Sequence, residues 1–217
     1  MVSPEYIVDA HFSWVIDQGT SSEHDPGQQM RSLGMSGTVV IQPHHDFDES
    51  IRAVNYALEE PSVLGVIPWI DLSSSSLQEQ LITLQKYPKV RGVVLSLEDE
   101  DNHWLVKPEV IEGLRAVADL GWSADLMVEP RQLPAVKSAA TQVPNLRFGL
   151  AHMGSPFIGK SEREPWGVFM LNIAPLPNVF IKASGLVTLD SSPWNTSHIK
   201  LFVEPIIRMF GSRVSDH

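Results

Sequence analysis

Short, apolar, β-branched runs recur along this chain, and helix-like segments separate them. The runs are Tyr6–His11, Thr38–Gln42, Leu64–Ile70, Val90–Leu97, Ala124–Val128, Arg147–His152 and Val179–Ser184. Each has the length of a buried strand. Their apolar character is nearly continuous rather than alternating, which is how strands covered on both faces read in parallel sheets.

The intervening segments carry helix signals. Asp48–Glu59 places Ile51, Val54, Ala57 and Leu58 on one face, with Asp48 as a reasonable N-cap. Leu77–Gln85 follows a serine run that can cap it. Pro108–Leu120 opens on proline and stops at Gly121, the expected asymmetry of helix ends. Leu133–Thr141, Trp166–Ile173 and Ile199–Phe210 complete the set. Strand–helix alternation repeated in this way predicts right-handed βαβ units and a parallel sheet. Two α/β architectures satisfy it, a doubly wound open sheet and a closed (β/α)8 barrel. The first strand is followed by Asp9-Ala10-His11-Phe12 rather than a glycine-rich phosphate loop, which weakens the dinucleotide-binding form.

Composition narrows the function classes. The 217 residues suit a single domain spanning the chain. The formal net charge of −10 repels nucleic-acid phosphates and anionic membranes, so neither is an expected partner. No cysteine is present, which excludes disulfides, thiolate metal ligands and a cysteine nucleophile. No apolar run reaches the roughly 20 residues that span a bilayer. The start MVSPEYIVDAH has no basic region followed by an apolar segment, so no signal peptide is expected. A cytoplasmic protein acting on a small molecule is the reading these facts favour, with oligomerisation left open.

In a barrel, chemistry sits at the C-terminal ends of strands. His11 and His152 close apolar runs there, and an imidazole so held can bind a metal or move a proton near neutral pH. Adjacent His44 and His45 point to opposite faces, so at most one can serve a given pocket. The acidic run Glu98–Asp101 reads as a solvated loop. His24, His198 and His217 have no context that singles them out. Arg131, just past Pro130 in a strand-to-helix loop, and Lys182 with Ser184 at the end of the seventh run are candidate substrate ligands. Arg91, at the start of its strand, reads as structural. No Gly-x-Ser-x-Gly elbow marks a serine nucleophile.

Several stretches together resemble the amidohydrolase-related family, in its fuconolactonase and 2-pyrone-4,6-dicarboxylate lactonase branch. They are VDAHFSW at Val8–Trp14, GVIPWIDL at Gly65–Leu72, the long segment Glu98–Pro134, LRFGLAHMGSP at Leu146–Pro156 and NVFIKASGL at Asn178–Leu186. The resemblance implies a distorted (β/α)8, TIM-like barrel with its site at the strand ends. It implies that His11 is the first histidine of a first-strand His-x-His motif. It also makes His152 the histidine of a sixth-strand His-Leu-Gly-Lys-Pro motif. In lactonases of this kind the histidines polarise the substrate carbonyl and orient water, with or without one divalent metal (zinc or manganese), so His11 and His152 are also the implied metal ligands. An eighth-strand aspartate in a Gly-Ser-Asp-Trp context is the general base. Asp216 is the residue that stands nearest that place.

The sequence departs from the pattern at five points. Ser13 replaces the second histidine, Ser155 stands for the lysine, and Val94 stands where an arginine is expected. The loop from Trp14 to Met35 is short. After Phe210-Gly211 only Ser212-Arg213-Val214-Ser215-Asp216-His217 remain, so the barrel is expected to stop at or before its eighth strand, with seven formed. The function these residues imply is hydrolysis of a lactone or related C–O bond in a small carboxylated or sugar-derived substrate. A catalytically impaired binding protein and a metal-dependent decarboxylase on the same scaffold are the alternatives.

Overall fold

A computed structural model describes residues 7–13, 30, 32–160, 162–189 and 194–216. Most of the loop over residues 14–35, together with His24 and His217, lies outside them. The fold class is the expected one, parallel α/β, and the described residues include eight strands in the strand–helix order of a (β/α)8 barrel. The chain divides into two compact units, residues 1–94 and 95–216.

The first unit holds a parallel sheet of β1 (Val8–Ser13), β2 (Gly37–Ile41) and β3 (Val63–Ile67) in that order. Helix α1 (Phe47–Glu59) and helix α2 (Leu77–Leu84) follow β2 and β3. Val40, Ile41, Val63 and Val66 are fully buried with Ala53, Val54 and Ala57 of α1, which accounts for the continuous apolar runs. The cap of α1 is Asp46, two residues before the Asp48 expected, and its Oδ1 accepts from Glu49 N at 3.0 Å. The serine run before α2 supplies no side-chain cap; Ser74 Oγ instead accepts from Ser76 N within the turn. At the mouth of β2, Ser50 Oγ donates to Gln42 Oε1 at 2.9 Å, and that same amide oxygen accepts from Trp69 N. This buried network satisfies polar groups that would otherwise be costly there.

The second unit holds the sheet β4–β5–β6–β7–β8. Its strands are β4 (Gly92–Ser96, beginning in the first unit), β5 (Ser123–Met127), β6 (Arg147–Leu150), β7 (Val179–Ala183) and β8 (Val214–Asp216). Helices α3 (Pro108–Asp119), α4 (Leu133–Gln142), α5 (Trp166–Ile173) and α6 (Thr196–Phe210) lie between them in sequence. Asn178, before β7, donates through Nδ2 to the carbonyls of Ala140, Val143 and Leu146, tying the end of α4 to the sheet.

The expectation of seven strands is corrected. Val214–Asp216 pairs parallel with β7, in the register Ile181↔Val214 and Ala183↔Asp216. The cause is Arg213. Its guanidinium donates to the carbonyls of Ala174, Leu176 and Val179 and lies 5.0 Å from the Phe210 ring, which sets the next residue against β7. Five donors in a rigid fork let one arginine anchor three carbonyls.

Candidate active site

Strand β6 ends at Leu150, two residues before the histidine expected to close it. The chain then enters the left-handed region for four residues in succession: His152 (φ 52), Met153 (φ 55), Gly154 (φ 71) and Ser155 (φ 52). L-residues avoid this region at roughly 1–2 kcal/mol each, and only glycine adopts it freely. Histidine is among the types that tolerate it best. A Cβ at Gly154 would lie 2.9 Å from Leu133 Cδ2, so glycine is required there for space as well as for φ. The turn carries His152 off the strand direction and sets its ring against the end of β7.

Two features of the Ser184–Gly185 corner receive that ring. Nδ1 of His152 lies 3.1 Å from the Ser184 carbonyl and 3.0 Å from its hydroxyl. A carbonyl only accepts, so the first contact requires the proton on Nδ1 and makes Nε2 the lone-pair nitrogen of the neutral ring. Gly185, at φ 63, has no side chain where a Cβ would stand 2.7 Å from Nδ1. Burial lowers the His152 pKa below the ordinary imidazole value. The Ser184 carbonyl and the Glu98 carboxylate act in the opposite sense, and the Lys182 ammonium adds to the lowering. The neutral form is thus the stable one near pH 7.

His152 opens on a cleft of about 410 Å³ lined by Glu98, Glu129, Pro130, Ser155, Phe157 and Lys160, among others. Lys160 Nζ sits 5.0 Å from the Phe157 ring centroid. Glu98 was expected in a solvated run; it is half-buried on the cleft wall. Lys160 escaped the sequence reading because it lies in the loop after β6, away from any strand end. The left-handed turn was also missed, although the Gly-Ser-Pro after His152-Met153 is a turn signal.

The two candidate cations are both engaged by protein. Lys182 Nζ pairs with Asp125 Oδ2 from the neighbouring side of β6, and the side chains are 14% and 4% exposed. Gly149 lies between them, where a Cβ would stand 2.5 Å from Asp125 Oδ1 and 3.5 Å from Lys182 Cε. Burial pushes the Asp125 carboxyl up, and the Lys182 ammonium opposes that shift without cancelling it. Arg131 holds Glu129 Oε2 at 2.6 Å, Asn102 Oδ1 at 2.6 Å, and the carbonyls of Glu98 and Glu100. It braces the loop after β4 against the loop after β5.

In the first unit, His11 lies within β1 rather than at its end and is 8% exposed. It falls where the register with β2 shifts between Asp9 and Phe12, and its backbone N–H donates to Asp9 Oδ1 at 2.8 Å. Such bulges re-aim side chains. His44 Nδ1 meets Glu49 Oε2 at 2.8 Å, and His45 stacks on Trp69 at 5.1 Å. Val94 is fully buried. The backbone of Asp216 ends β8 opposite Ala183, one residue from Ser184. Among the described residues, no group of three His, Cys, Asp or Glu side chains is placed to hold a metal ion. No helix among them is long and apolar enough to cross a membrane.

The described chain is thus parallel α/β with a partly buried imidazole just beyond its sixth strand. The amidohydrolase family profile matches residues 9–213, and the chain belongs to that family. It is similar to the L-fucono-1,5-lactonase of Burkholderia ambifaria, 29% identical over 180 residues that cover 82% of this chain and 62% of that protein. The chain therefore spans less than two thirds of that lactonase's length. Among solved structures, an amidohydrolase from Burkholderia multivorans with bound zinc superposes with a TM-score of 0.87 at 22% identity, covering 97% of this chain and 83% of that one. A probable 2-pyrone-4,6-dicarboxylic acid hydrolase from Acinetobacter baumannii with citric acid bound gives 0.77 at 18% identity, over 97% and 82%. These superpositions establish the fold.

Proposed function

We propose that the protein is a lactonase that opens a small, uncharged, sugar-derived lactone. The observation that carries this reading is the His152 seat, a neutral imidazole with Nδ1 committed to the Ser184 carbonyl on the wall of a ligand-sized cleft. The relation to L-fucono-1,5-lactonase points to the same chemistry. The Nε2 lone pair accepts a hydrogen bond from water and orients it; it does not polarise the carbonyl as a donor would. Water adds to the lactone carbonyl carbon, the ring C–O bond breaks, and the water proton passes through a base to the departing ring oxygen. The product is a hydroxy acid. Asp216, at the end of β8, takes the role of that base, and His11 stands in the proposal on the family resemblance alone.

The lining favours a neutral substrate over a dicarboxylate. Glu98 and Glu129 repel a carboxylate and accept hydrogen bonds from hydroxyls, while Pro130, Phe157 and Leu189 offer apolar contact to a ring. Lys160 is the cation of the wall. Arg131, Lys182 and Ser184 serve as supports of the site, since each already has protein partners. Zinc and manganese enter as arms of the test rather than as parts of the mechanism.

The test is a panel of aldonolactones beside 2-pyrone-4,6-dicarboxylate, read by acid release, with chelator, zinc and manganese arms. Turnover of sugar lactones that His152→Ala abolishes is the expected result. A panel without turnover in every arm sinks the reading, and carbon dioxide release from an aromatic acid replaces it with decarboxylation. Retained rate in Asp216→Asn moves the base from Asp216 to His152.

A further inference from the structure

His152 is held in the cleft by backbone that does not hold itself. Four successive left-handed residues revert to ordinary conformations unless the surroundings fix them. The ring end is fixed by Ser184. Gly154 is wedged against Leu133 and Leu150. Within the turn itself, the carbonyl of Met153, the residue after His152, accepts a hydrogen bond of 2.7 Å from the indole Nε1 of Trp166, and both residues are buried. That bond fixes the plane of the Met153–Gly154 peptide, and a flip of this peptide would release the turn.

We propose that Trp166 is a positioning residue for His152, acting through the Met153 carbonyl. Trp166 is suited to the role because it is enclosed by the core. It is 1% exposed, opens α5, and packs tilted against the Phe202 ring at 5.5 Å. A phenylalanine would fill much of the same space; the N–H is what tryptophan adds. Without the donor, the Met153 carbonyl is left buried and unpaired, and the cheapest remedy is to turn that peptide. The catalytic meaning of the role rests on His152 as the hydrolytic imidazole.

The experiment compares Trp166→Phe, which removes the donor, with Phe202→Leu, which loosens packing on the same ring and keeps the donor. Two readouts are taken: sugar-lactone kinetics, and the nitrogen-15 NMR signals of the His152 ring, assigned with His152→Ala. In Trp166→Phe, kcat is expected to fall about tenfold with KM within about twofold, the size of effect usual for a residue that orients a working histidine. The His152 ring is expected to change from one Nδ1–H tautomer to a mixture. Phe202→Leu is expected to lower the melting temperature while keeping kcat and the single tautomer. An unchanged His152 spectrum in Trp166→Phe overturns the proposal. A changed spectrum in a protein that hydrolyses no lactone upholds the positioning and removes the lactonase reading instead. If Trp166→Phe does not fold, an isostere with sulfur in place of the indole N–H is installed at that residue, and the same two outcomes decide.

Discussion

The mouths of β2 and β6 both carry histidine, and they are built on opposite terms. After β2 the backbone leads directly into α1, and His44 lies half in solvent, 49% exposed at the side chain, beside the Glu49 carboxylate. After β6 the backbone is forced through four left-handed residues to deliver a largely buried ring onto a carbonyl. The first arrangement loses little if the imidazole goes. The second is strained and leaves little room for a Cβ at 154 or 185. On the proposed function, the working imidazole is marked by what its surroundings give up to hold it, not by its place after a strand.

The sharpest way to break this comparison is at Gly185. An added Cβ would stand 2.7 Å from His152 Nδ1 at a residue with φ 63. Gly185→Ala is expected to reduce lactone hydrolysis by up to about 100-fold, the upper range for losing a histidine's supporting shell. Gly121→Ala is the control. Its φ of 72 imposes the same backbone strain, but nothing lies within 4 Å of its Cβ position. It should cost about 1–2 kcal/mol of stability and leave kcat/KM intact. Equal activity losses in the two variants would show that strain, not the His152 seat, sets the rate.

The next effect is on stability. Lys182→Met leaves the Asp125 carboxylate buried without its cation, and the loss should be about 3–5 kcal/mol near neutral pH by urea unfolding. The pH dependence has a definite sign. Burial already raises the folded-state pKa of Asp125, and removal of Lys182 raises it further. A carboxyl raised in the folded state favours folding below its unfolded pKa and loses that advantage as pH rises through the folded value. The deficit of the variant relative to wild type should therefore shrink in mild acid. A deficit that stays constant in mild acid would mean that Asp125 takes up no further proton when Lys182 is lost. For activity, the lowered pKa of His152 places the acid limb of the kcat/KM profile below the ordinary imidazole value of 6.5.

Most of the scaffold was legible, because strand and helix periods are properties of neighbouring residues. The apolar runs around Val39–Ile41 and Phe148–Leu150 and the Pro108 start of α3 read directly as elements. The site was legible only to the level of residue type. That His152 matters follows from its motif; that it hangs on a left-handed turn does not, since φ at residues 152–155 is imposed by Leu133, Trp166 and Ser184 from distant parts of the chain. Arg131 and Lys182 looked like substrate ligands for the same reason. Their partners, Glu98, Glu100, Asn102 and Asp125, lie 29 to 57 residues away. Strand β8 was hidden because three residues carry almost no propensity, and the anchoring by Arg213 that forms it is tertiary.

The smallest effects belong to the mouth of β2 and test its half of the comparison. Asp46→Ala removes the side-chain acceptor for Glu49 N at the start of α1 and should cost about 1 kcal/mol in stability. His44→Ala breaks an exposed pair with Glu49 and should cost less than about 1 kcal/mol, diminishing further in high salt. Glu49 keeps Gln42 Nε2 as a partner at 3.3 Å, so the network behind it survives the loss of the imidazole. Both variants should hydrolyse lactone at the wild-type rate. A His44→Ala protein with a kcat reduced tenfold while its unfolding curve is unchanged would place the β2 histidine among the working residues. Exposure and an ordinary backbone would then no longer separate a resting imidazole from an active one.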